Sequence, residues 1–226
     1  MKPKFKSQDV LMGILLLGSL WGLIEVLGGG LLRAIDVPVR SAVVTALGLG
    51  IMAIGLAIFR KSWVLFVAPI IAVLVKQLAM PILHLSFTCT ANSAVAVMLE
   101  GAALGGVFIM LGRKARGNFT GRAGAGFAGA LLGGTAFWAI GMRIAPCPYL
   151  LSFNSFAGFF SFMANESLIW AALSALTVPL GYSLGESIRN KVANAAEIKP
   201  ALYYSTTTAI VALSWGASAI ALANGL

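Results

Sequence analysis

The sequence predicts an all-α fold, a polytopic helical bundle set in a membrane, and three observations carry that prediction. Apolar residues make up 59% of the chain and charged residues only 10%, where a soluble domain holds about a quarter charged residues. Seven apolar stretches are of the order of the ~20 residues that a helix needs to cross a hydrocarbon core. The basic residues, 16 Lys and Arg against 7 Asp and Glu, collect in alternate connections, as they do in membrane proteins. That distribution accounts for the positive charge without a nucleic-acid partner.

The first stretch, Val10 to Leu32, ends in glycines, and Arg33, Asp36 and Pro38 mark its exit. It resembles a signal peptide at its start, but it carries Glu25 and runs past a normal apolar region without a clear cleavage site, so an uncleaved first span is expected. The second runs from Ser41 to Phe59 and is closed by Arg60 and Lys61. The third, Trp63 to Leu83, holds Pro69 and Pro81, where kinks are expected. A polar turn, His84 to Ser93, leads into the fourth, Ala94 to Leu111, and the most basic loop follows. The fifth, Ala123 to Met142, is largely Gly and Ala. After a loop with two prolines around Cys147 comes the sixth, Phe156 to Leu184. Residues 185–200 read as a short polar surface helix stopped by Pro200, and Leu202 to Ala223 is a seventh apolar segment. The chain is therefore one membrane domain: a six-helix core over 1–184, a polar piece over 185–200, and an additional helix within 201–226.

Twelve basic residues lie at the N-terminus or in the connections after segments two, four and six, and only Arg33, Arg40 and Arg143 on the other side. The rule that basic loops stay inside sets the N-terminus in the cytoplasm and predicts a multi-pass protein of the cell membrane. At about 1.5 Å per residue, Glu25, Lys76, Glu100 and Glu166 then fall about 10–15 Å below the outer ends of four different helices. An ionisable side chain inside a span is costly unless paired or wetted, and it marks a functional site by default.

These four are candidate substrate-binding residues, with Lys76 and Glu100 expected to pair across the turn between their helices. His84, Asn92, Arg143 and Asn165 complete the candidate set, in a pocket opening between the loops 34–40, 84–93 and 143–155. Charge pairs that merely lock helices together are the competing reading. His84, Cys89 and Cys147 are soft-metal candidates, but their spacing matches no compact ligand motif. The two cysteines suit a disulfide across the outer face as well as they suit free thiols. Tyr149 and the phenylalanines from Phe153 to Phe162 suit an interfacial aromatic belt or stacking on a flat ligand. Gly18 and Gly22, Gly101 and Gly105, and Gly129 and Gly133 are spaced for close helix contact. No nucleotide-binding loop, metalloprotease motif or hydrolase elbow is present, so no enzyme activity and no cofactor is expected.

The stretch GSLWGLIEVLGGGLLRAIDVPVRSAVVTALGLGI, with VLVKQLAMP and AVMLEGAALG, resembles the S components of energy-coupling factor (ECF) importers or membrane proteins related to them. The likeness covers about the first half of the chain. It implies a six-helix subunit that captures a vitamin-like solute from outside and docks on a transmembrane coupling subunit driven by ATPase subunits. In that family a small-residue motif on the first helix, typically Ala-xxx-Ala, faces the coupling subunit, and Gly18 and Gly22 stand at the matching position. A seventh segment after the six is a departure from the family's pattern. The expected function is a substrate-binding transport subunit for a small polar or cationic solute. A self-contained proton- or cation-coupled transporter for small solutes or metals is the second reading. A membrane enzyme or assembly factor using His84 and the cysteines is the third.

Overall fold

A computed structural model describes residues 5–84 and 87–226, with the side chains of 87–89 left aside. The described residues form helices and short connections, and seven helices are long and apolar enough to cross a membrane. Spans 1 to 7 cover Ser7–Ala34, Arg40–Phe59, Val64–Leu83, Phe87–Leu111, Phe119–Ile144, Phe156–Ile198 and Pro200–Ala223. Each segment expected from the sequence falls within one of them, except that the third begins one residue early, at Trp63.

Span 1 packs on span 3, span 3 on 4, 4 on 5, 5 on 6, 6 on 2 and 2 on 1, which closes a ring of six helices. Span 7 lies outside the ring, chiefly against span 1. Lipid tails are as apolar as leucine, so burial alone does not hold such helices together; close backbone approach does. Glycines supply it at the ring contacts. A Cβ on Gly18 would stand 2.5 Å from that of Ile71, and one on Gly22 2.5 Å from that of Val75, both in span 3. Gly129 and Gly133 of span 5 face Leu104 and Glu100 of span 4, and Gly181 and Gly185 of span 6 face the backbone of Gly50 and Ile54 in span 2. Around these contacts Ile14, Trp21, Leu49, Met52, Leu56, Leu65, Leu104, Phe108 and Tyr182 are buried in one core.

Two local expectations need correction. Residues 185–198 are not a separate surface helix: span 6 runs through Pro179 and on to Ile198, with no proline between Leu184 and Ile198 to stop it. Pro200 does not merely stop a helix; it opens span 7 in the first turn, where its missing N–H costs nothing. Of the two expected kinks, the helix passes through Pro69 without interruption but breaks at Gln77 and Leu78. The Pro81 ring clashes with the carbonyl four residues earlier, that of Gln77, and lacks the N–H to bond it. The break falls just after Lys76.

Among the described residues three single turns widen to π-helix: Ile24–Gly28, Phe137–Gly141 and Met163–Ser167. Nothing in local sequence announces them. Such turns inside α-helices concentrate at functional sites, and these three lie in spans 1, 5 and 6.

Candidate functional site

At the end of the ring away from the N-terminus the helices separate around a cavity of about 370 Å³. Every ring helix contributes to it. Span 1 brings Glu25, span 2 Arg40, Ser41 and Thr45, span 3 Lys76, span 4 Asn92, Ser93 and Glu100, span 5 Phe137, and span 6 Glu166 and Trp170. Tyr149 closes in from the short helix Pro148–Leu151 between spans 5 and 6. Each of the three π turns delivers one lining residue: Glu25, Phe137 and Glu166. The extra residue in a π turn rotates the following helix, so a side chain can face inward at that depth without spoiling the packing below it.

The four intramembrane charges thus line one cavity, but they do not pair as expected. The Lys76 ammonium donates to Glu25 at 2.5 Å, with the glutamate side chain 8% exposed. Glu100 is not its partner. The reason lies one turn below: Gly22 seats span 3 against span 1 at Val75, which brings the next residue, Lys76, beside the next inward position of span 1. Trp21, fully buried one turn under Glu25, donates its indole N–H to the other carboxylate oxygen at 3.2 Å. Glu25 is held on both oxygens.

Glu166 is held on both sides too. Ser41 Oγ donates to one oxygen at 2.8 Å, and the Tyr149 hydroxyl to the other at 2.6 Å. Burial first, and then the carboxylate it serves, hold the Tyr149 phenol well above the usual tyrosine range, so it remains a donor at neutral and mildly alkaline pH. Trp170 adds a contact from its indole N–H to Ser41 Oγ at 3.3 Å.

Glu100 differs from both. It is 2% exposed, and Thr45 Oγ1 donates to one of its oxygens at 3.0 Å. Its Oε2 is buried with no hydrogen-bond partner. Gly133 of span 5 packs against its backbone, which brings the two helices close. A bare buried carboxylate oxygen costs free energy, and in a native fold it calls for an explanation.

The remaining predicted residues divide. Asn92 lines the cavity and bridges its rim, donating from Nδ2 to the carbonyl of Ala145 at 2.8 Å. Asn165 does not: it is exposed and donates to Ser161 Oγ at 3.1 Å. Arg143 is also exposed and lines a separate cavity of about 240 Å³ with Trp138 and Asn154. His84 is exposed, with a left-handed backbone (φ 52°) ending the helix Ala79–Leu83, and it lines neither cavity. Cys147 caps the short helix Pro148–Leu151 by accepting from the N–H of Leu150 at 3.4 Å. The side chain of Cys89 lies outside the described residues, and with it any disulfide or metal site that includes it. Among the described residues no three of His, Cys, Asp and Glu come together as a metal-ligand group.

Gly18 and Gly22 also need correction. Both are buried against span 3, so the contact they make is inside the chain and not on a surface offered to another subunit.

Residues that sequence reasoning did not select complete the site: Arg40, Ser41, Thr45, Phe137 and Trp170, while Tyr149, noted only for its ring, enters as a hydrogen-bond donor. Ser41 and Thr45 are four apart, and hence on one face of span 2, a signal available before the structure. Arg40 and Phe137 gave no such signal. Beside the main cavity a second one of about 350 Å³ shares Glu25, Arg40, Lys76 and Ser93 with it and extends to Arg33 and to Leu222 of span 7.

No protein-family model, curated protein or solved structure matches this chain.

Proposed function

We propose that this chain is a membrane-embedded binding subunit that captures a small polar or cationic solute in the cavity at the outer end of its helical ring. The observation that carries the reading is the half-bonded Glu100 carboxylate, buried in the wall of a cavity to which all six ring helices contribute. A cavity of this size falls at the lower end of the range that holds small molecules. The asymmetry of basic residues supports an outward opening, since the cavity lies at the end with few of them.

The resemblance of the first half to ECF S components supports a coupling subunit and ATPases as the transport partners, and the six-helix ring suits it. With Gly18 and Gly22 committed to span 3, the docking surface in such a complex is another face of the ring. One observation favours a self-contained proton-coupled carrier as the second reading: Glu100, a buried carboxyl, shares its cavity with the Lys76 and Glu25 pair. The enzyme reading has no such support, because His84 stands away from the cavity.

Mass spectrometry of the protein purified in mild detergent tests the proposal. It predicts a small solute retained at close to one per chain, and no uptake by the chain alone in liposomes under a proton gradient. Gradient-driven uptake by the purified chain transfers the cavity to the second reading, and purification with no retained solute removes the first.

A further inference from the structure

Resting on the reading of the cavity as a solute site, we infer that its ligand is amphoteric: an ammonium or N–H end docks on Glu100 at the floor, and an anionic end meets Arg40 at the mouth.

The charges decide this by elimination. Five ionisable side chains of the Asp, Glu, Lys and Arg types line the cavity: Glu25, Lys76, Glu100, Glu166 and Arg40. Lys76 and Glu25 satisfy each other, and Trp21 takes the remaining oxygen of Glu25. Glu166 is filled by Ser41 and Tyr149. Two groups are left that enter no ion pair, one acidic and one basic. Glu100 keeps a bare buried oxygen. Arg40 enters none of the ion pairs among the described residues, which join Arg60 and Arg122 to Glu186 and Lys76 to Glu25.

Their separation makes them two ends of one site and not a pair. Arg40 is the first residue of span 2 and is exposed. Thr45, which holds the Glu100 carboxylate, lies five residues deeper, about 7.5 Å along the helix. A ligand bridging the two must carry its charges a ring's length apart. The cavity wall is also aromatic: Phe137 and Trp170 line it with ring centroids 6.3 Å apart. A flat or apolar middle therefore fits between two polar ends, with Ser93 and Asn92 beside it on span 4.

Three probes of matched shape separate the possibilities: 4-(aminomethyl)benzoate, which carries both charges, benzylamine, which carries only the cation, and benzoate, which carries only the anion. Binding to the purified full chain is measured by ligand-detected NMR, with wild type, Arg40→Gln and Glu100→Gln compared. The doubly charged probe should bind wild type at least tenfold more tightly than either singly charged one. Arg40→Gln should erase that advantage over benzylamine while leaving benzylamine itself unchanged, and Glu100→Gln should weaken both amines at least tenfold. Equal binding of benzylamine and the doubly charged probe to wild type overturns the inference while leaving the cavity a solute site. Retained amine binding in Glu100→Gln overturns it as well, because the amine then docks elsewhere. If no probe binds, the inference fails, and a co-purified solute decides separately whether the reading beneath it stands.

Discussion

The two ends of the ring use the same six helices to opposite effect. At the N-terminal end, Gly185 brings span 6 onto the backbone of Ile54, and Glu186 is shared by two arginines, Arg122 at 2.8 Å and Arg60 at 3.3 Å, one on each oxygen, in a partly exposed network. Arg122 also lies over the Tyr182 ring, 4.1 Å from its centroid. At the other end the helices carry π turns, the wall is set with charges, and one buried carboxylate is left half bonded. A charge by itself therefore does not distinguish a lock from a site. Glu186 and Glu100 are both glutamates facing other helices. What separates them is whether the fold fills both oxygens.

The largest effect should come from disturbing the closed end. A side chain at Gly181 runs into the backbone of Gly50, so Gly181→Leu should destabilise the fold by about 3 kcal/mol or more, read as thermal unfolding in detergent. A stable Gly181→Leu protein breaks the claim that close backbone contact holds this end.

At the open end, Lys76→Met strands Glu25 and should cost about 2–3 kcal/mol, somewhat below the value for a fully buried pair because the lysine is a quarter exposed. Adding Glu25→Gln should restore most of the loss, and adding Glu100→Gln should not. Rescue by Glu100→Gln instead returns the pairing to the two neighbouring helices of the hairpin.

The smallest effect should come from outside the ring. Span 7 is fastened to span 1 by Trp215, whose indole N–H donates to Ser19 Oγ at 2.9 Å, and by Tyr203 and Tyr204 on Asp9. Trp215→Phe removes one of these bonds and should cost about 1 kcal/mol of stability with no change in retained solute. A loss of solute gives span 7 a part in the site that its position outside the ring does not suggest.

Much of this architecture was legible in the sequence, because a membrane restricts a chain more than water does. Seven apolar stretches marked the helices to within a few residues at most of their ends, and the rise along each helix brought Glu25, Lys76, Glu100 and Glu166 to one depth. Depth is one-dimensional, and azimuth is not. The short turn between spans 3 and 4 suggested that Lys76 meets Glu100, yet Gly18 and Gly22 had already fixed span 3 against span 1. Reading that glycine stripe as a contact within the chain points to Glu25 instead. The π turns are a different case. They arise from how the packed helices accommodate one another, so the inward aim of Phe137 could not be read from its neighbours. Asn165, next to Glu166, sits at the right depth but is exposed, and Arg143 lines a separate cavity, which only the ring's closure decides.

The central claim is that the unfilled oxygen of Glu100 exists for a ligand. Native mass spectrometry of wild type and Glu100→Gln, purified side by side, tests it most directly, since glutamine keeps the shape and the Thr45 contact while removing the charge. The expected result is a folded variant, no less thermally stable than wild type, that has lost the solute wild type retains. A folded variant carrying the same solute at the same occupancy contradicts it.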